Sequence, residues 1–172
     1  MGNPGAEYKL TRHNSGVMLV DMIYESRFMN YEYGFRRKKD IFVYESDALV
    51  LVKTSGLFMN ESGRIVSELK QAGFFNKNVD FHNLYVAHDD LDIKLGEYKI
   101  QFGKGPKEHN GVNSIQQALG SDEFWHIRIG IENRDRERDL KSGEEYVLQR
   151  FLPEEREILN QVLAEIAGKL IS

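Results

Sequence analysis

Four polar residues stand where a fold could gather them: His13, Asn60 and Asn110 each precede a segment with helical spacing, and Asp89 directly follows a short apolar run. Histidine, with an unperturbed pKa near 6.5, is the natural general base at neutral pH, and a carboxylate such as Asp89 can orient it. In open α/β sheets the crevice beyond the strand carboxyl ends collects loops of this kind, and helix N-termini there favour anions through exposed N–H groups. A phosphate-bearing substrate suits such a place. Each residue also has a plainer reading, Asn60 and Asn110 as helix caps and His13 as a surface or capping histidine. The run His88-Asp89-Asp90-Leu91-Asp92 offers a second chemistry, because clustered carboxylates suit Mg²⁺ or Ca²⁺. It lacks the glycine and the acidic spacing of an EF-hand loop.

Other catalytic templates are absent from the sequence: there is no G-x-S-x-G elbow, P-loop, H-E-x-x-H or G-x-G-x-x-G. Gly103-Lys104-Gly105, followed by Pro106-Lys107-Glu108, lacks the Lys-Ser/Thr end of a P-loop and reads as an ordinary loop. The chain holds no cysteine, which removes disulfides, Cys-based zinc sites and thiol nucleophiles together. Its 172 residues, 41% of them hydrophobic, suit one globular domain, residues 1–172, able to build a core without a metal or a disulfide. No apolar run approaches the roughly 20 residues needed to span a bilayer, and the start lacks the basic and apolar regions of a signal peptide. A cytoplasmic protein with no membrane contact is expected. With Lys+Arg 23 against Asp+Glu 27, a surface for nucleic acid must be local.

The elements that must position these residues alternate. Met1-Gly2-Asn3-Pro4-Gly5 reads as a turn with no strand before it. Asn14 or Ser15 starts a helix running to about Phe28, with Val17, Leu19, Val20, Met22 and Ile23. After the basic run Arg36–Lys39, Ile41–Tyr44 and Ala48–Val52 form a hairpin across Ser46 and Asp47. Asn60-Glu61-Ser62 opens an amphipathic helix carrying Ile65, Val66, Leu69 and Ala72, stopped by Gly73. Leu84–Ala87 is an inner strand ending in the polar loop His88–Asp92, and Glu97–Phe102 is a half-buried strand. A loop over 103–111 leads into a helix with Val112, Ile115 and Leu119, and Ile127, Ile129 and Ile131 alternate as another strand. Residues 132–145 mix acids and bases and read as a solvated connection without a functional role. Pro153 opens a final helix with Ile158, Leu159, Val162, Leu163, Ile166 and Leu170 at helical spacing.

Taken together and in order, several blocks resemble the bacterial-type peptidyl-tRNA hydrolase family. They are Gly2-Asn3-Pro4-Gly5 with Tyr8 and Thr11-Arg12-His13-Asn14, Phe58-Met59-Asn60 with Ser62-Gly63, and His88-Asp89-Asp90-Leu91-Asp92. His109-Asn110-Gly111 with Ser114-Ile115, Arg128-Ile129-Gly130-Ile131 and Tyr146-Val147-Leu148 extend the likeness over nearly the whole chain. The resemblance implies a single-domain α/β three-layer sandwich, a twisted mixed sheet flanked by helices. It implies hydrolysis of the ester between a peptide and the tRNA 3′ ribose, with His13 as the base, Asp89 holding it, and neither metal nor cofactor. By the same likeness Asn3 senses the acylated amino end of the substrate, while Tyr8, Phe58, Asn60 and Asn110 line the site for the peptide and the 3′ CCA end. Asn60 would also donate to the developing oxyanion. Arg128 falls where a residue holding the tRNA 5′ phosphate is expected, and the protein would act as a monomer.

This sequence departs from the family in places. Gln101 stands where a lysine partner of Arg128 is expected, so Lys99 or Lys104 would have to reach the phosphate. Pro106, Lys107 and Glu108 replace glycines before His109, and Glu132 replaces the glycine after Ile131. Family members carry an apolar strand before Gly2-Asn3-Pro4-Gly5, so an N-terminal strand is missing here and the expectation is a start lying upstream. An alternative function is that of a catalytically inactive RNA-binding relative, since plant organellar proteins use this fold as a splicing factor, and a third is a truncated product without a stable fold. The intact His13 favours an enzyme.

Overall fold

The computed structural model describes residues 1–28, 34–46, 49–54, 56–74, 81–135 and 141–171. Its first elements are a 3₁₀ turn, Arg12–Asn14, and α1, Ser15–Phe28. Three short strands, β1 Arg36–Lys38, β2 Ile41–Glu45 and β3 Val50–Thr54, form an antiparallel sheet. The expected hairpin is present as the β2–β3 pair, although Asp47 and Ala48 lie outside the described residues. A 3₁₀ turn, Met59–Glu61, leads into α2, Gly63–Gln71, and Gly73 with φ 82° ends it. The helix stop is the left-handed residue that glycine adopts at little cost.

The sheet that carries the site is built from β4 Tyr85–Lys94, β5 Tyr98–Phe102 and β6 Trp125–Glu132, in the order β4-β6-β5. β4 runs parallel to β6 and β5 antiparallel to it, so the sheet is mixed. β6 keeps the expected alternation, but both of its faces are buried from His126 to Ile131. Ile127, Ile129 and Ile131 pack with Leu19, Ile23, Leu159, Leu163 and Ile166 of α1 and the final helix, while Val86 and Phe124 pack with Val112 and Ile115. Helices therefore cover both faces, which is the three-layer arrangement. The strands are divided between two sheets rather than joined in one; among the described residues no strand links β3 to β4. Met1 and Gly2 lie between them, the Met1 amino group donating to the Ala87 carbonyl at 3.0 Å and the Thr54 hydroxyl donating to the Gly2 carbonyl at 2.8 Å.

His88–Asp92 is not a loop after a strand, because β4 continues through it to Lys94. Buried polar groups need partners, and here each has one: His88 meets His126, Asp89 meets His13 and His109, and Asp90 meets Arg128. That pairing lets a strand interior hold side chains whose types suggested a loop. α3, Asn110–Leu119, is capped by His109, whose Nδ1 accepts the Val112 N–H, so Asn110 is the first helical residue rather than the cap. α4, Gly143–Val147, opens with a Ser142–Glu145 capping box, and α5 spans Pro153–Leu170 as expected. Among the described residues no helix is long and apolar enough to cross a membrane.

Candidate active site

The 3₁₀ turn after Thr11 aims His13 at the middle of β4. There its Nδ1 lies 2.9 and 3.0 Å from the two oxygens of Asp89. Asp89 is buried in the strand, and a second imidazole, His109, reaches its Oδ1 at 3.0 Å. The Val112 N–H donates to His109 Nδ1 at 3.3 Å, so the His109 proton sits on Nε2 and is donated to Asp89. Burial opposes ionisation of Asp89, but the pull of His109 and His13 and their hydrogen bonds outweighs it, holding the carboxyl well below the usual carboxylate range. An ionised Asp89 accepts from His13 Nδ1–H. Nε2 of His13 is then the nitrogen free to take a proton.

Around this pair lies an open cleft of about 890 Å³. Asn3, His13, Phe58, Asn60, Asp89 and Asn110 all line it, so six of the eight residues picked from the sequence converge. Tyr8 and Arg128 are not in its lining. Tyr8 stands behind the rim, its ring edge-on to Phe58 at 6.3 Å. Arg128 is buried on the sheet, donating to Asp90 Oδ2 at 2.7 Å and to Gln101 Oε1 at 2.9 Å. Asn3 is held on three sides. Its N–H donates to Asn14 Oδ1, its carbonyl accepts from Asn14 Nδ2, and its Oδ1 accepts the Met59 N–H at 2.8 Å. The amide orientation is thereby set, and the Nδ2 hydrogens are left for a ligand.

Three contributions to the cleft were not foreseen as functional. His109 entered only as part of a motif, and its sequence neighbours give no sign that it shares Asp89 across 20 positions. The loop read as ordinary supplies Pro106, Lys107 and Glu108 to the rim. It is seated by Gly105, where an added Cβ would lie 2.9 Å from the His126 ring. The segment read as a solvated connection supplies Gly143 and Glu144, because α4 folds back over Leu91. Only residues 136–140 of it lie outside the described set.

A hard cation held jointly by the His88–Asp92 carboxylates does not fit, since Asp90 binds Arg128 and Asp89 binds two histidines. Among the described residues the one grouping with ligand-like spacing is His13, Asp89 and His109, with one atom of each within 4.8 Å of the others. A metal on His109 Nε2 would force its proton onto Nδ1, against the Val112 N–H. The donor set is built for hydrogen bonds to Asp89 rather than for a cation.

The family model for peptidyl-tRNA hydrolase matches residues 1–172. The chain belongs to this family. Peptidyl-tRNA hydrolase of Wolbachia from Brugia malayi is 36% identical over 154 residues, covering 88% of this chain and 79% of that protein. The enzyme of Mycolicibacterium vanbaalenii is 35% identical over 171 residues, covering 97% and 84%. The crystal structure of peptidyl-tRNA hydrolase from Acinetobacter baumannii aligns with a TM-score of 0.77 at 24% identity, over 98% of this chain and 82% of that one, which establishes the fold. Each of the motif blocks read from the sequence except Arg128-Ile129-Gly130-Ile131 supplies residues to the cleft, and nothing in the site favours a catalytically inactive RNA-binding relative.

Proposed function

We propose that this peptidyl-tRNA hydrolase cleaves the ester between a peptide and the tRNA 3′ ribose with His13 as general base, acting as a single-domain cytoplasmic monomer without a metal or cofactor. The observation that carries this reading is the double contact of His13 Nδ1 with Asp89, which leaves Nε2 on the cleft side as a proton acceptor. Water held at Nε2 gives up its proton as its oxygen attacks the ester carbonyl. Asp89 stabilises the imidazolium that forms, and the proton then passes to the departing ribose oxygen. Asn60 donates to the oxyanion of the tetrahedral intermediate. Asn3, through its Nδ2, reads a peptide carbonyl, which a substrate with a blocked amino end presents and a free aminoacyl ester lacks. Phe58, with Tyr8 behind it, and Asn110 offer an aromatic face and a carboxamide to the unstacked 3′ CCA nucleotides. On the sheet, Arg128 with its cross-strand neighbour Lys99, or with Lys104, meets the 5′ phosphate.

His13→Ala tests the reading directly. Release of peptide from an N-acetyl-aminoacyl-tRNA should fall by about 10²–10⁴-fold, the usual worth of a positioned base, while tRNA binding stays near that of the parent chain. Equal loss of turnover and binding would contradict the role of base.

A further inference from the structure

Beside His13, Arg12 points the other way, into the core. Its side chain is 4% exposed and that of its partner Glu155 is 5% exposed. Arg12 Nη2 donates to Glu155 Oε1 and Oε2 at 2.8 and 2.6 Å, and Nη1 donates to the Arg150 carbonyl at 2.8 Å. The guanidinium lies over the Tyr146 ring at 4.2 Å and near Phe151 at 5.1 Å. Glu155 in turn accepts from Asn133 Nδ2 and from the Leu152 N–H. The backbone follows the same path, with Arg12 N–H donating to the Gln149 carbonyl and Phe151 N–H to that of Leu10. One side chain thus ties the turn that carries His13 to the segment 146–152, whose Val147 and Leu148 form a wall of the cleft.

Stability alone is a poor account of this pair. A buried ion pair is often matched or bettered by apolar residues of the same volume, because desolvation offsets the Coulomb gain. Here Arg12 Nε is also buried without a partner, a further cost. What the pair does supply is a fixed distance between base and wall. We propose that Arg12, acting through Glu155, is a positioning residue for the hydrolysis, holding the His13 turn and the Val147–Leu148 wall as one unit. This rests on the reading of His13 as the base.

The test compares kcat and KM for N-acetyl-aminoacyl-tRNA among the parent chain, Arg12→Lys, His13→Ala, the double variant and Ile166→Val. Ile166→Val lowers Tm from the α5 core, away from the cleft, and serves as the stability control. Arg12→Lys keeps the charge but loses the fork that holds Glu155 through Nη2 and the Arg150 carbonyl through Nη1, and it loses the stacking on Tyr146. Its kcat should fall on the order of 10²-fold, with KM within about threefold. In the His13→Ala background the same change should cost little more, because there is no base left to aim, and Ile166→Val should keep the parent kcat. The proposal is overturned if Arg12→Lys keeps kcat, if its loss is undiminished in the His13→Ala background, or if the Ile166→Val kcat falls in step with Tm. Full turnover by His13→Ala would sink the base and the positioning role together, whereas a dead His13→Ala beside an unimpaired Arg12→Lys sinks the positioning role alone. Should Arg12→Lys not fold, Glu155→Gln, which keeps the side-chain length and an acceptor for the Leu152 N–H, carries the same expectations.

Discussion

Asp89 serves two imidazoles at once, and the two differ in what they leave over. His109 spends both nitrogens, one on the Val112 N–H and one on Asp89, so it fixes the carboxylate and has nothing to offer a substrate. His13 spends only Nδ1. The division of labour follows from hydrogen-bond inventory alone. Arg128 is the opposite case, a cation with most of its reach committed inward to Asp90 and Gln101. Replacing Gln101 by Lys removes the acceptor for Arg128 Nη1 and sets a second positive charge beside it. If this is where the 5′ phosphate lies, KM for peptidyl-tRNA should drop at low salt, and the slope of log KM against log salt should steepen by roughly 0.7–0.9 for one added phosphate contact. A salt series on the two proteins measures it; parallel lines would move the phosphate elsewhere.

At the scale of elements, the site depends on how closely α1 approaches β4. Gly16 lies in the first turn of α1, three residues after His13, and a Cβ there would lie 2.2 Å from the Ala87 carbonyl, two residues before Asp89. The clash is with backbone, so it cannot be relieved by a rotamer change. Gly16→Ala should cost about 1–3 kcal/mol of stability through overpacking. It should also lower kcat, because α1 and the 3₁₀ turn just before it, which bears the base, move away from the strand bearing its carboxylate. Urea unfolding and turnover on one preparation give both numbers. Loss of stability with unchanged kcat would show that the His13–Asp89 contact survives the shift. Helix spans are readable from apolar spacing, as in α1, α2 and α5, while the end of β4 is not. After Val86 and Ala87 the next buried side chains of β4 are His88, Asp89 and Asp90, so the apolar signature stops while the strand goes on.

For the molecule as a whole, the buried histidines make stability depend on pH. His126 is fully buried, donates from Nδ1 toward His88, and keeps a buried Nε2 without a partner. Burial, then the nearby Arg128, lowers its pKa from 6.5 to about 4, and burial with His109 holds His88 well below its usual value. The folded form therefore refuses protons that the unfolded chain accepts. The contribution is fully present above pH 6.5 and is lost as pH falls toward about 4, at up to about 1.4 kcal/mol per pH unit for each such histidine. Asp89, held low, adds its own loss at more acid pH. Unfolding by urea at pH 7.5 and pH 5 should show the decline, and His126→Gln should shrink it; an unchanged pH dependence in that variant would exclude His126 as its source.

Much of this protein was determined by the sequence alone. The alternation of elements, the final amphipathic helix, the glycine stop after α2 and the identities of His13, Asp89, Asn3, Asn60 and Asn110 as cleft residues all follow from local spacing and from short ordered motifs, which need no knowledge of distant partners. Tertiary structure decided what depends on those partners. That Asp89 sits inside a strand, that His109 shares it, that Arg128 turns inward and that Gly143 and Glu144 reach the cleft are all consequences of pairing between residues far apart in the chain. A buried polar group left without a partner costs stability. Where that partner lies is a property of packing, which local pattern does not encode.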